Sequence, residues 1–302
     1  MTEAEKIIDS LKEVFAIAKT GFDDFKKDAK EIASGDNSTA ASSGYYSKAA
    51  ASGDYSTAAS SGNNSTAASS GNNSTAASSG DYSKAASSGY YSKAAASGNN
   101  STAASKGEHS ACSALGYRAA ASGDIGNLIM ASEYVIKGGK YIPVGGKADI
   151  VDGKKLKAGA WYIVKKGKWV EVDFTDGIFT YIISNKGGVK KVKDESGNVM
   201  YVVTDGENHA HGDTIKEARD ALIYKISSRD TSAYDGWKLT DEKPLAEIIK
   251  AYRAITGACE SGTKSFVDSQ GELPDSLTIK DVILATRGAF GNAEFEAFFK
   301  DK

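Results

Sequence analysis

Two short stretches carry most of the side chains in this sequence that are capable of chemistry: His209-Ala210-His211-Gly212-Asp213, and Cys259 within ITGACESG. Histidines at i and i+2 share one face of an extended segment, where an aspartate can complete a metal site or orient an imidazole. A Cys259 thiolate with a histidine as its base would form a nucleophile pair. No second carboxylate–histidine cluster and no glycine-rich phosphate loop accompanies them. Cys259 also follows a helical apolar stripe, where a buried thiol is ordinary. The sequence therefore favours a structural, non-enzymatic role, with an enzyme centred on Cys259, His209 and His211 as the alternative, and no metal or cofactor is expected. Cys112 occupies an alanine position of a repeat and reads as core, and His109 as surface. Arg253 reads as a helix-surface residue or an inter-helix salt bridge.

The elements that must position these residues differ along the chain. Residues 205–302 read as a helical bundle. Thr214 and Glu217 stand in capping-box spacing before ARDALIYKI, and a second helix covers PLAEIIKAYRAITGA and either ends there or continues through SGTKSFVDS. A third helix starts near Ser276 or Thr278, and a terminal one carries Phe295, Phe298 and Phe299. Residues 124–204 read as a small antiparallel β-domain, with apolar runs such as AWYIVKKGKWVEV separated by turns at Val151-Asp152-Gly153, Lys166-Gly167, Gly187-Gly188 and Ser196-Gly197. This stretch holds 13 basic against 9 acidic residues, a balance of +4, and 205–302 holds 13 against 18, a balance of −5. Opposite signs on neighbouring segments fit packing against each other as well as an outside partner.

Residues 34–123 hold a repeat. Ten glycines, from Gly35 to Gly116, stand at a step of nine that never slips. Three residues after each comes serine (Ser38 to Ser110, then Ala119), and two further on comes alanine (Ala40 to Ala103, then Cys112 and Ala121). Between them, in the first eight units, lies threonine or lysine (Thr39 to Thr102), and lysine there requires solvent. Small residues alternating with solvated ones make a strand pattern, so each nonapeptide predicts a Ser-Gly turn and a short strand with Ser and Ala inward. Two nonapeptides close one 18-residue coil, which predicts a β-solenoid of about five coils. Strands stacked at roughly 4.8 Å make it on the order of 24 Å long. Ala and Ser bury little area, so backbone ladders and stacked hydroxyls must supply most of the order. Residues 1–33 read as an amphipathic helix, since Ala4, Ile8, Leu11, Phe15, Ala18, Phe22, Phe25, Ala29 and Ile32 alternate steps of four and three. That seam over residues 4–32 predicts either a cap on the open end of the solenoid or a coiled-coil homo-oligomer.

Composition narrows the partners. The net charge is −2, and residues 34–106 carry four lysines against three aspartates, which argues against both a DNA mimic and phosphate tracking. Lysines interrupt the threonine rows, which argues against ice binding. The N-terminus is acidic and amphipathic, and no apolar run approaches membrane-spanning length, so neither secretion by a signal peptide nor membrane insertion is expected. Two widely separated cysteines suit a reducing compartment. Outward positions after the glycines alternate among Asp, Asn and Tyr, and Tyr45, Tyr46, Tyr55, Tyr82, Tyr90 and Tyr91 form the candidate surface for a protein partner, or else cover a thin core.

The GDYSTAASSGNNSTAA array, the block NLIMASEYV…VDGKKLKAGAWYIVKKGKWVEV and the ending HAHGDTIKEARDALIYKIS…YRAITGACESGTKSF resemble uncharacterised bacteriophage and gut-bacterial proteins over residues 34–302. More distantly, a heptad helix joined to a Gly- and Ser-rich β-roll is similar to trimeric adhesin heads and phage fibres. The resemblance implies a phage-associated protein in the cytoplasm of a bacterial host or in the virion, and an architecture, without implying an activity. The fold class expected is thus mainly β with α: an N-terminal helix, a solenoid, an antiparallel β-domain and a helical bundle.

Overall fold

The computed structural model describes residues 31–175, 178–270, 272–287 and 289–300. The chain divides into one compact unit ending at Val172 and a second beginning at Asp173. That division falls inside the stretch 124–204, which the sequence alone reads as one β-domain. The predicted helix of residues 1–33 lies outside the described residues as far as residue 30, and Ile32 stands in a strand instead.

The first unit is a β-solenoid of about six turns. One sheet stacks β1 (Glu31–Ser34), β3 (Lys48–Ser52), β5 (Thr66–Ser70), β7 (Lys84–Ser88), β9 (Thr102–Lys106) and β11 (Ala120–Gly123) in parallel. The other stacks β2 (Thr39–Ser43), β4 (Thr57–Ser61), β6 (Thr75–Ser79), β8 (Lys93–Ala96), β10 (Ala111–Ala114) and β12 (Leu128–Lys137). Six turns exceed the five expected because Glu31–Ser34 precedes the first repeat glycine and Leu128–Lys137 follows the last, yet both join the parallel ladders. The antiparallel expectation for the run beginning at Asn127 holds only on its other side, where β12 pairs with β13 (Lys140–Ile150). A second hairpin, β14 (Trp161–Lys165) and β15 (Lys168–Asp173), adds antiparallel to β11 through the predicted Lys166-Gly167 turn, whose φ angles of 51° and 66° suit a primed hairpin turn.

The inward columns agree with the alternation read from sequence. Ser47, Ser65, Ser83 and Ser101 are fully buried, as are Ala49, Ala58, Ala67, Ala76 and Ala103. The stacked hydroxyls serve the backbone: Ser47 Oγ donates to the Ser61 carbonyl at 2.8 Å, and Ser83 and Ser101 hydroxyls meet at 3.2 Å. The repeat glycines serve two needs at once. Eight of them, from Gly35 to Gly89 and Gly107, have positive φ between 92° and 117°. A Cβ on Gly71 would also stand 2.3 Å from the Gly53 carbonyl oxygen of the preceding turn.

The second unit opens with an antiparallel meander of β16 (Thr180–Lys186), β17 (Val189–Lys193), β18 (Val199–Thr204) and β19 (His209–Gly212). Helix α1 (Ile215–Ile226) packs on β18 and β19, and its capping box is as predicted: Thr214 Oγ accepts from the Glu217 N–H, and Glu217 Oε2 accepts from the Thr214 N–H, both at 3.1 Å. Gly212 allows this close approach, since a Cβ there would lie 2.3 Å from the Ala218 nitrogen. Helix α2 (Leu245–Thr256) does not continue through SGTKSFVDS. It ends at Gly257, left-handed with φ 75°, and a separate helix α3 (Glu260–Ser269) starts after Cys259. Helices α4 (Ile279–Ala285) and α5 (Asn292–Phe299) complete the helical part, and Ile248, Tyr252, Ile279, Val282, Phe295 and Phe299 share its core.

Candidate functional site

The solenoid's corners hold every tyrosine of the candidate surface. Each corner has two residues after its glycine, and hydrogen bonds through them link neighbouring turns. Where it is Asp or Asn, the first residue uses its side chain as a rung: Asp36 Oδ1 accepts from the Asp54 N–H at 3.0 Å, Asp54 from Asn72 at 2.8 Å and Asn72 from Tyr90 at 3.0 Å. On the other edge Asn63 accepts from Asp81, Asp81 from Asn99 and Asn99 from Tyr117, at 2.8–3.1 Å. The second residue adopts a left-handed backbone and, in the first eight corners, donates its N–H to the first corner residue of the next turn, as Tyr55 does to the Asn72 carbonyl at 2.8 Å. Sequence reading missed this role for Asp and Asn. The restriction of that position largely to side chains with a short oxygen acceptor was the available signal.

Successive nonapeptides sit on opposite edges, so the six tyrosines do not form one surface. Tyr55, Tyr90 and Tyr91 lie on one edge, and Tyr45, Tyr46 and Tyr82 on the other. The rings of Tyr90 and Tyr91 meet edge-on at 4.5 Å, and His109, one turn further, lies against both at 5.1 and 5.4 Å. Tyr45 and Tyr46 pair at 4.8 Å. Tyr45, Tyr55, Tyr82, Tyr90 and Tyr91 are 40–63% exposed, while Tyr46 is half-buried. Tyr46, Tyr55, Tyr82 and Tyr91 all have φ between 56° and 60°, where asparagine stands at 64, 73 and 100.

The Cys112 thiol is core, as expected. It is 1% exposed, donates to the Ser122 carbonyl at 3.1 Å, and burial pushes it up to about 11. His109 is exposed, also as expected. The residues singled out first lie on neighbouring elements, since α3 packs against β19. His211 is buried on β19 and His209 is partly exposed, with its carbonyl accepting from Lys225 Nζ at 2.9 Å. Cys259 is buried at the N-cap of α3, and its sulfur accepts from the Gly262 N–H at 3.3 Å, the place a serine usually takes. Arg253 bridges the two helices, donating to the Ala258 carbonyl at 3.3 Å and facing Glu260 at 3.4 Å, which makes it the inter-helix residue of the two expected roles. Arg229, not foreseen, closes the end of α1 by donating to the Tyr224, Lys225 and Ser227 carbonyls, and reaches the Ala254 carbonyl of α2 at 2.7 Å.

Among the described residues, no group of three or more His, Cys, Asp and Glu side chains is placed to hold a metal ion, and no helix is long and apolar enough to cross a membrane. The chain matches no family model, no curated protein and no solved structure with which it was compared.

Proposed function

We propose that this is a non-enzymatic, phage-associated interaction protein whose ten-repeat solenoid holds aromatic side chains at fixed corners for a protein partner, as a virion accessory or as an inhibitor of a host protein. One observation carries the reading. Four tyrosines occupy a left-handed backbone position that asparagine fills in neighbouring repeats at lower cost, and backbone strain of that kind is retained where the side chain has work to do. Their anchoring suits the task. Each corner is hydrogen-bonded to the next turn, so an exposed ring loses little freedom on binding. The Tyr90–Tyr91–His109 group is the largest such cluster and the proposed centre of contact. Phage association, and with it a place in the host cytoplasm or the virion, is proposed on the resemblance of the repeat array and the C-terminal segment alone.

Changing Tyr90 and Tyr91 together to asparagine tests this, because asparagine is the repeat's own alternative. The double variant is expected to unfold at the same denaturant concentration or slightly higher, and to lose the partner that the unaltered chain captures from infected cells. Equal capture by both chains would remove the aromatic corners from the reading.

The packing of α3 on β19 supports the enzyme reading as the alternative, since it sets the helix capped by Cys259 against the strand of His209 and His211. The thiols separate the two. With Cys112 and Cys259 buried, native protein at about pH 8 is expected to resist alkylation until it is unfolded. Rapid modification of Cys259 in the native chain would instead indicate an activated nucleophile and favour the enzyme.

A further inference from the structure

Tyrosine and asparagine alternate along the solenoid's edges with a period of two turns. On one edge the second corner positions run Asn37, Tyr55, Asn73, Tyr91 and His109, each a single turn beyond the last. All five backbones are left-handed with φ between 56° and 60°, so the side chains leave in the same direction at intervals of about 4.8 Å. Tyr55 and Tyr91 are 61% and 50% exposed, and Asn73 is exposed between them. The other edge repeats the order as Tyr46, Asn64, Tyr82 and Asn100, but there Tyr46 is half-buried. Two exposed rings in this alternation therefore stand on the first edge.

We propose that this edge binds a proline-rich segment in the polyproline II conformation, laid along the solenoid axis with prolines on the Tyr55 and Tyr91 rings. This binding mode rests on the aromatic corners being the contact for a protein partner, and it adds the chemistry of that partner. Two stacked turns put the tyrosines about 9.6 Å apart, and polyproline II advances about 9.3 Å for every three residues. A residue and the third one after it thus reach successive rings with a drift of about 0.3 Å. Other regular backbones do not fit. An extended strand presents one face every ~6.7 Å and an α-helix every ~5.4 Å, so neither brings equivalent side chains onto both rings. Asparagine between the rings suits the same ligand. Polyproline II makes no internal hydrogen bonds, and the Asn73 amide can donate to a carbonyl that passes midway. Exposed rings offer proline flat stacking surfaces, and a stiff ligand loses little freedom on an edge whose backbone is already fixed.

Fluorescence anisotropy of the full-length chain with a dye-labelled oligoproline of about nine residues, three turns of polyproline II, tests it. Every chain carries Tyr82→Asn, so that only one edge holds paired rings, and a glycine–serine peptide of equal length is the control. Oligoproline should bind and the control should not. Asn73→Tyr combined with Tyr91→Asn keeps the composition and uses the repeat's own residues, but brings the two rings to adjacent turns, about 4.8 Å apart. That chain should melt with its parent and bind oligoproline more weakly by about tenfold or more. Tyr55→Asn alone, which removes one ring of the pair, should weaken binding in the same way. Equal affinity in the rearranged chain would overturn the proposal, as would binding of the glycine–serine peptide as tightly as oligoproline. If oligoproline fails to bind while the Tyr90→Asn, Tyr91→Asn chain still loses its captured partner, polyproline II is overturned and the aromatic corners stand. Binding of a soluble β-1,4-linked oligosaccharide in place of oligoproline would assign the edge to a glycan and overturn it as well.

Discussion

Gly71→Ala is expected to cost far more stability than Gly44→Ala, although both glycines open the same nine-residue unit. The two backbones are alike, with φ of 115° and 110°, so both variants suffer the strain of an L side chain in a left-handed conformation, roughly 1–2 kcal/mol. At Gly44 nothing lies within 4 Å of the added carbon, because no earlier repeat corner stands beneath it on that edge. At Gly71 the methyl would meet the Gly53 carbonyl oxygen at 2.3 Å and its carbon at 2.5 Å, both backbone atoms held in the ladder. Neither can yield without parting two stacked turns, so the total loss should reach about 3 kcal/mol or more. Gly80→Ala, with the Gly62 oxygen at 2.4 Å, should behave like Gly71→Ala. Urea unfolding of the three variants reads the difference directly. Similar losses at Gly44 and Gly71 would show that close stacking is not what requires glycine at the interior corners.

The second large effect concerns the core. Ala67→Leu and Ala76→Leu should each destabilise the solenoid by about 1–3 kcal/mol, and by more if the two sheets cannot separate. Both alanines are fully buried, on facing sheets, in a core whose other members are largely Ala and Ser. Each extra isopropyl group would press on alanines and serines, which have little or no side-chain freedom with which to adjust. Thr66→Lys, one residue away and pointing outward, is the control. Thr66 pairs with Lys48 and Lys84 on its two neighbouring strands, so a lysine fits the site and adds only like-charge repulsion of about 0.5 kcal/mol or less, relieved by salt. If Thr66→Lys melted the protein as far as Ala67→Leu does, the inward and outward assignments would be reversed.

Periodicity and local backbone chemistry were legible in the amino-acid sequence. The step of nine, the inward Ser and Ala columns, the Lys166-Gly167 turn and the Thr214–Glu217 cap all depend on contacts within a few residues or on a pattern repeated many times. Other features needed the folded chain. Glu31–Ser34 and Leu128–Lys137 lack the repeat, yet each adds a strand, because a parallel ladder is made of backbone groups that any side chain leaves available. The break between α2 and α3 follows from Gly257 turning left-handed and Cys259 taking the cap position, neither of which interrupts the apolar stripe on either side. Asp and Asn become rungs only when residues 18 apart are brought within hydrogen-bond reach, and the tyrosines divide between two edges only once consecutive repeats face opposite ways. The outward alanines show the limit most plainly. Ala50 and Ala59 stand in nearly identical nonapeptides, and one is buried while the other is not. A repeat determines what each unit can do by itself, whereas burial depends on what lies across from it, which only the tertiary structure supplies.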